Sequence, residues 1–374
     1  MEAKLDMHNR ITAAQLRRMV RLQLDTLAKN PELAAVLPPL MVWGAPGLGK
    51  STILRDAARE AGIGFIDVRL AQREPVDIRG LPVPGPDGVK WLVSSDWPRD
   101  PKSRGIILFD EITAADRSLQ VAAYEIILDR RLGELYRVPD GWYICAAGNR
   151  TGDRAVATTM SSALANRFLH VELGEDVESW IAWALRHDIL PVVTAFIRFR
   201  PGLLFHQEGE NLERGWPTPR AWERVSRMLG AMVAEDEALV RAMVYGLVGN
   251  RAGVEFMEFR KLSATMDDVL AMMRDPSAEI KIPQKADMKY ALCSAAAYHV
   301  WRGRDARDAA LRLDGFYRLC IALSSDFATM LMMDAMTGTG LISEKEACER
   351  LLAHKSYKVW SDKHGQALRK RIAL

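Results

Sequence analysis

Apolar residues recur along this chain in two rhythms. Leu16, Met19, Val20, Leu24 and Leu27 form one stripe of a helix. Thr12 and Gln15 precede it at capping-box spacing, which predicts the helix start. From Leu40 the rhythm shifts to short, nearly unbroken apolar runs. These are LMVW at 40–43, FIDVRL at 65–70, RGIILFDE at 104–111, WYICAAGN at 142–149 and HVEL at 170–173. Runs of this length predict strands, and the continuous ones predict strands buried on both faces. Helices are predicted between them over 50–61 and over Thr113–Leu132, with Thr113 and Asp116 as candidate caps. Strands alternating with helices imply an α/β fold with a mostly parallel sheet and right-handed crossovers.

The alternation stops near residue 175. Val177, Trp180, Ile181, Ala184 and Leu185 mark a helix, as do Trp222, Val225, Leu229 and Met232. The chain then reads as helical to Leu374. A domain boundary is predicted near 175, and a softer one in the turn-rich stretch around Asp275–Lys285. Residues 74–104 stand apart, with seven prolines or glycines between Pro75 and Gly88. This texture predicts an insertion carrying a hairpin with its turn near Asp87 and Gly88.

Composition narrows the class. The 374 residues are 49% hydrophobic and 26% charged, so the whole length can fold as two or three globular domains. A net charge of +3 is too near neutral to imply a polyanionic partner. The basic residues Lys355, Lys358, Lys363, Arg369, Lys370 and Arg371 read as a solvated helix face in preference to a nucleic-acid patch. Cys145, Cys293, Cys320 and Cys348 have no metal-site spacing and read as reduced core residues of a cytoplasmic protein. The N-terminus carries no apolar signal core. Prolines and glycines break the most apolar stretch, Leu33 to Leu48, so no membrane span is expected. The run Met330–Met336 reads as core in preference to a docking surface.

The chemistry begins where the strand at 40–43 meets Gly44-Ala45-Pro46-Gly47-Leu48-Gly49-Lys50-Ser51, followed by Thr52. This is the Walker A pattern, placed between a strand and a helix as the pattern requires. Its glycines let main-chain N–H groups approach phosphates, and the helix N-terminus favours the same anion. Lys50 is expected on the β and γ phosphates, and Ser51 on Mg²⁺. No guanine-reading stretch is present, so ATP is the default nucleotide. The run Ile106-Ile107-Leu108-Phe109 ends in Asp110 and Glu111. Carboxylates at that end of a buried parallel strand face the ligand edge of the sheet. Asp110 is expected to support the metal, and Glu111 to orient the attacking water.

On these motifs the chain resembles AAA+ ATPases, and among them the MoxR-like group, over about residues 38–230. The resemblance implies a P-loop core over 1–175 with its insertion at 74–104, a helical lid over 176–265 and a further helical region over 266–374. The run at 129–149 is similar to the hairpin and strand leading to sensor 1, which makes Asn149 the sensor 1 candidate. TPR at 218–220 is similar to sensor 2, carried by Arg220. Thr218 and Pro219 suit a helix start, and a cation in the first turn opposes the helix dipole unless an anion offsets it. The segment Ser161–Phe168 resembles the one that carries the arginine finger, which implies Arg167, with Arg150 and Arg154 as alternatives. The family further implies a homo-oligomeric ring, typically a hexamer, that remodels a client protein together with a von Willebrand factor A domain partner. The loop at 80–92, with Val83, Val89 and Trp91, is the candidate client contact. A different class of function, an ATP-gated switch in DNA metabolism or phage defence, fits the same motifs.

Overall fold

The computed structural model describes residues 10–86, 88–150, 160–207, 215–232 and 236–372. The chain divides into two compact units, the division falling between Asp176 and Val177.

The first unit runs β1 (Arg10–Ile11), α1 (Ala13–Lys29), β2 (Leu40–Trp43), α2 (Lys50–Glu60), β3 (Gly64–Arg69) and α3 (Pro75–Arg79). The hairpin β4 (Leu81–Gly85) and β5 (Gly88–Leu92) follows. Then come β6 (Gly105–Asp110), α4 (Arg117–Leu128), β7 (Arg131–Leu132), β8 (Tyr136–Arg137), β9 (Trp142–Gly148), α5 (Ser162–Ala165) and β10 (Leu169–Leu173). Six of these strands form one sheet in the order β1-β10-β2-β9-β6-β3, parallel at every pairing. Leu40 stands opposite Cys145, and Ile107 opposite Ile144.

The period-two alternation of the strands builds three layers. Ile106, Leu108, Tyr143 and Cys145 face one core, with Leu16 and Val20 of α1 and Leu54 and Ala58 of α2. Met41, Ile107, Phe109 and Ile144 face the other, with Leu119, Ala123 and Ile126 of α4. The capping box is present: Thr12 Oγ1 accepts from Gln15 N, and Gln15 Oε1 accepts from Thr12 N. The insertion is anchored by Ile78 and Trp97, both buried in the core that holds Phe109.

Two elements depart from expectation. The helix predicted over Thr113–Leu132 is shorter at both ends. Asp116 is its cap, accepting from Leu119 N at 3.0 Å, whereas Thr113 lies in the preceding turn, 2% exposed. At the other end Arg130 takes a left-handed φ of 56°, and the chain reverses into the β7–β8 pair. Strand β1 was not predicted. It joins the sheet edge beside β10 through two residues.

The second unit is helical: α6 (Val177–Arg186), α7 (Pro191–Phe199), α8 (Pro219–Ala231), α9 (Glu237–Ser263) and α10 (Val269–Arg274). It continues with α11 (Ala286–Val300), α12 (Ala306–Ala322), α13 (Ser325–Met336), α14 (Glu344–Leu352) and α15 (Tyr357–Ile372). Phe196, Trp222 and Phe256 share one core with Cys293, Tyr317 and Leu331, so helices before and after residue 265 pack together. Met330 and Met332 are buried in it, the core role read from the methionine run. Burial pushes the thiols of Cys145, Cys293 and Cys320 well above their ordinary range, which makes them packing groups and not nucleophiles. The fold class expected from the sequence is observed: an α/β P-loop core with a parallel sheet, followed by helices. No helix among the described residues is long and apolar enough to cross a membrane.

Candidate functional site

Strands β2, β9 and β6 lie side by side and end at the same edge of the sheet. Trp43 is in register with Gly148, and Phe109 with Ala146. Each strand therefore delivers its next residues to one place. These are the glycine-rich loop after β2, the acidic pair at the end of β6 and Asn149 after β9. The parallel registry set by apolar strand interiors is what gathers these polar groups.

The loop turns sharply. Gly47 and Gly49 take φ of 86° and 92°, a region that favours glycine, and Gly49 is the N-cap of α2. Lys50 opens that helix and is 8% exposed. Its ammonium donates to the carbonyls of Gly44 at 2.5 Å and Ala45 at 3.2 Å, and to Oδ1 of Asn149 at 3.0 Å. The Ser51 hydroxyl donates to Oδ2 of Asp110. The other carboxylate oxygen of Asp110 accepts from Glu111 N at 2.9 Å. Lys50, Ser51, Asp110 and Asn149 are thus joined through two direct contacts between side chains.

Glu111 is exposed and has a left-handed φ of 57°. That conformation costs a residue with a Cβ about 1–2 kcal/mol. Such strain collects where geometry serves function. The main chain turns here, and the Glu111 carbonyl accepts from Ala114 and Ala115.

Thr113 is a site residue that the sequence reading missed. Its hydroxyl accepts from the backbone N–H of Asn149 at 3.0 Å. This close approach needs Gly148, where an added Cβ would sit 2.8 Å from Thr113 Oγ1 and 2.9 Å from Met41 Cε. The only signal in the sequence was a threonine two residues past the acidic pair, which read as a helix cap.

The three arginine candidates differ. Arg167 is exposed just beyond α5, its backbone held by Leu164 O at 3.2 Å, and the next residue, Phe168, is buried. Its guanidinium makes no ion pair among the described residues. Arg150 pairs with Glu172 of β10 at 3.0 Å. Arg154 lies outside the described residues, as does Asp87 of the predicted hairpin turn. In the second unit, Arg220 is exposed in the first turn of α8. That helix is capped by Thr218, which accepts from Ala221 N at 3.0 Å, with Pro219 at the first helical position.

These residues fit a magnesium nucleotide. Gly47 and Gly49 turn the loop without side chains in the way, and Gly49 has open space where a Cβ would project. A serine hydroxyl beside a carboxylate is the hard-oxygen donor set that Mg²⁺ takes from proteins.

No family model matches the chain, and neither does any curated protein. Several solved structures are similar to it in part. A Cytophaga hutchinsonii protein designated an ATPase is 13% identical, with a TM-score of 0.31, over 63% of this chain and 87% of that one. NtrX of Brucella abortus is 15% identical, with a TM-score of 0.34, over 83% and 67% of the two chains. A RuvB variant of Thermotoga maritima is 16% identical, with a TM-score of 0.32, over 64% and 73%. The functional reading rests on the residues gathered at the sheet edge.

Proposed function

We propose that this chain is an AAA+ ATPase with the motif layout of MoxR-like proteins, working as a homo-oligomeric ring on a client protein. One observation carries the reading: Lys50 and Ser51 of the glycine-rich loop bond directly to Asn149 and Asp110, the residues that the motifs assign to the same reaction.

Bound ATP-Mg would supply the phosphoanhydride and the cation that neutralises it. Residues Gly44, Ala45, Pro46, Gly47, Leu48, Gly49, Lys50, Ser51 and Thr52 form the phosphate-binding segment. Its amides and the Lys50 ammonium offer donors to phosphate oxygens. Ser51 and Asp110 offer oxygens to Mg²⁺. Glu111, exposed at the strand end, orients and polarises water. The Asn149 amide would supply a further hydrogen-bonding group for that water and the terminal phosphate. Arg220 answers to the nucleotide as sensor 2. Arg167 is the finger given to a neighbouring subunit; its exposure, next to the anchored Phe168, supports this over Arg150, which Glu172 engages. A finger of this kind is worth about 10³–10⁵ in rate. The lid at 176–265, the region at 266–374, the hexameric state and the von Willebrand factor A domain partner are parts of the same reading.

The hairpin at 80–92 is the proposed client contact. Leu81, Val89, Trp91 and Leu92 are exposed there, while Val83 is half-buried. Trp91→Ala should spare basal hydrolysis and abolish stimulation by a client.

The deciding experiment measures particle mass of the Glu111→Gln variant with and without ATP, and hydrolysis by Arg167→Ala alone and mixed with Glu111→Gln. A ring that assembles on ATP, together with recovery of hydrolysis in the mixture, is expected. A monomer that hydrolyses ATP at full rate sinks the trans-acting finger. A Glu111→Gln chain that stays functionally on would identify the ATP-gated switch instead of a motor.

A further inference from the structure

The β4–β5 hairpin is apolar over one face and open along one edge. Its register pairs Pro82 with Trp91 and Pro84 with Val89, and sets Leu81, Val83 and Gly85 opposite Leu92, Lys90 and Gly88. Side chains alternate across a strand, so Pro82, Pro84, Val89 and Trp91 share a face, and all four are exposed. Proline has no N–H to give. The hydrogen bonds between the strands therefore run through Leu81, Val83 and Gly85, and the two prolines turn their nitrogens to the outer edge of β4. That edge lacks donors at both positions and is closed to another strand.

The opposite edge is different. Bonded and non-bonded pairs alternate in an antiparallel ladder. The N–H and C=O groups of Val89 and Trp91, opposite the prolines, hence point outward along β5. Among the described residues, β4 is the only strand that pairs with β5.

We propose that the outer edge of β5 is a strand-addition site for an extended segment of a partner polypeptide with apolar residues at alternate positions. The proposal rests on the hairpin being the client contact and specifies how it grips. A strand laid against β5 would take its main-chain bonds from Val89 and Trp91. Its residues beside these two would join the face already formed by Pro82, Pro84, Val89 and Trp91, where a charge would lose water without gaining a partner. On the other face Lys90 faces one intervening residue, which is therefore polar. The size of the edge selects a client over a second copy of this chain. Five residues at about 3.4 Å each give about 17 Å of edge. Such a strip buries on the order of a few hundred Å², well short of the ~1,200 Å² at which stable complexes begin. A segment gripped briefly and released suits that area.

The test uses the full chain and a fluorescent short peptide alternating valine and threonine, with a counterpart N-methylated at alternate residues. Anisotropy should show binding of the plain peptide and at least tenfold weaker binding of the methylated one. Val89→Pro removes one outward donor, keeps an apolar side chain and leaves the hydrogen bonds to β4 in place. It should weaken the plain peptide at least tenfold, while Val89→Thr, which keeps the N–H, stays within about twofold of the parent. Equal binding of both peptides, unchanged binding by Val89→Pro or no binding by the parent chain overturns the proposal. A concentration-dependent dimer abolished by Val89→Pro overturns it too, by assigning the edge to a second copy. The methylated peptide acts on the unaltered chain, so the result stands even where Val89→Pro disturbs the hairpin. ATP hydrolysis is read in the same samples. Its absence beside intact peptide binding refutes the ATPase reading alone.

Discussion

The two compact units treat buried polar groups in opposite ways. In the second, charges close on one another. Arg198 grips both oxygens of Asp334, with Glu178 at 3.4 Å. Burial works against the Arg198 charge, and Asp334 with Glu178 overcomes it, leaving the guanidinium above its ordinary pKa. Arg312 and Arg274 hold Asp308 at 2.9 and 2.7 Å. The first unit has one such closed pair, Asp56 with Arg59 at 2.9 Å in α2, but Lys50, Ser51, Asp110 and Asn149 gather at the ends of three strands, in and beside a loop shaped by glycines. Charges matched inside a helical core serve the fold, whereas the polar groups collected at an open sheet edge are the ones proposed to meet a ligand. Removing one should therefore cost stability in the second unit and activity in the first.

The largest expected effect on activity is at Lys50. Lys50→Ala should reduce ATP hydrolysis by about 10²–10³-fold, read as phosphate release, with the melting temperature unchanged. A melting loss as large as that of a second-unit charge variant would erase the contrast. Next comes Arg198→Met, which leaves Asp334 buried without its cation and should cost about 3–5 kcal/mol. The urea midpoint of the second unit should fall, while a fluorescent ATP analogue still binds the first. Adding Asp334→Leu should recover most of that loss; failure to recover would mean the pair does more than neutralise itself. The smallest effect tests the boundary between the two kinds of group. Thr113→Val orphans the Asn149 N–H and should cost about 1–3 kcal/mol. It should also lower kcat severalfold at constant KM, with rescue by Thr113→Ser. A loss of stability with kcat unchanged would place Thr113 with the structural groups.

Legibility in the sequence followed the range of the forces involved. Strand β2 was readable over its full length because an unbroken apolar run beside a glycine-rich loop needs no distant information. The start of α1 was equally plain, since its capping box lies within four residues. Strand β1 was not, because two residues become a strand only through pairing with β10, far along the chain. Thr113 misled for the same reason. A threonine ahead of an apolar stripe has the look of a cap, and its actual partner, the Asn149 N–H, comes from another strand end. The left-handed turn at Glu111 had no local signal at all, since glycine or asparagine would be the ordinary choice there. Motifs singled out Lys50, Ser51 and Asp110, and resemblance singled out Asn149; the contacts joining them came only with the sheet order.

The two prolines of β4 also bear on how this chain behaves in a crowd. A hairpin with so much exposed apolar surface is a natural seed for polymer growth, and growth needs two live ends. Here one end is terminated by Pro82 and Pro84. Two hairpins meeting at their open sides would present proline to the solvent on both flanks, and accretion would halt at a pair. The hairpin can thus carry a sticky strand without itself propagating a fibre.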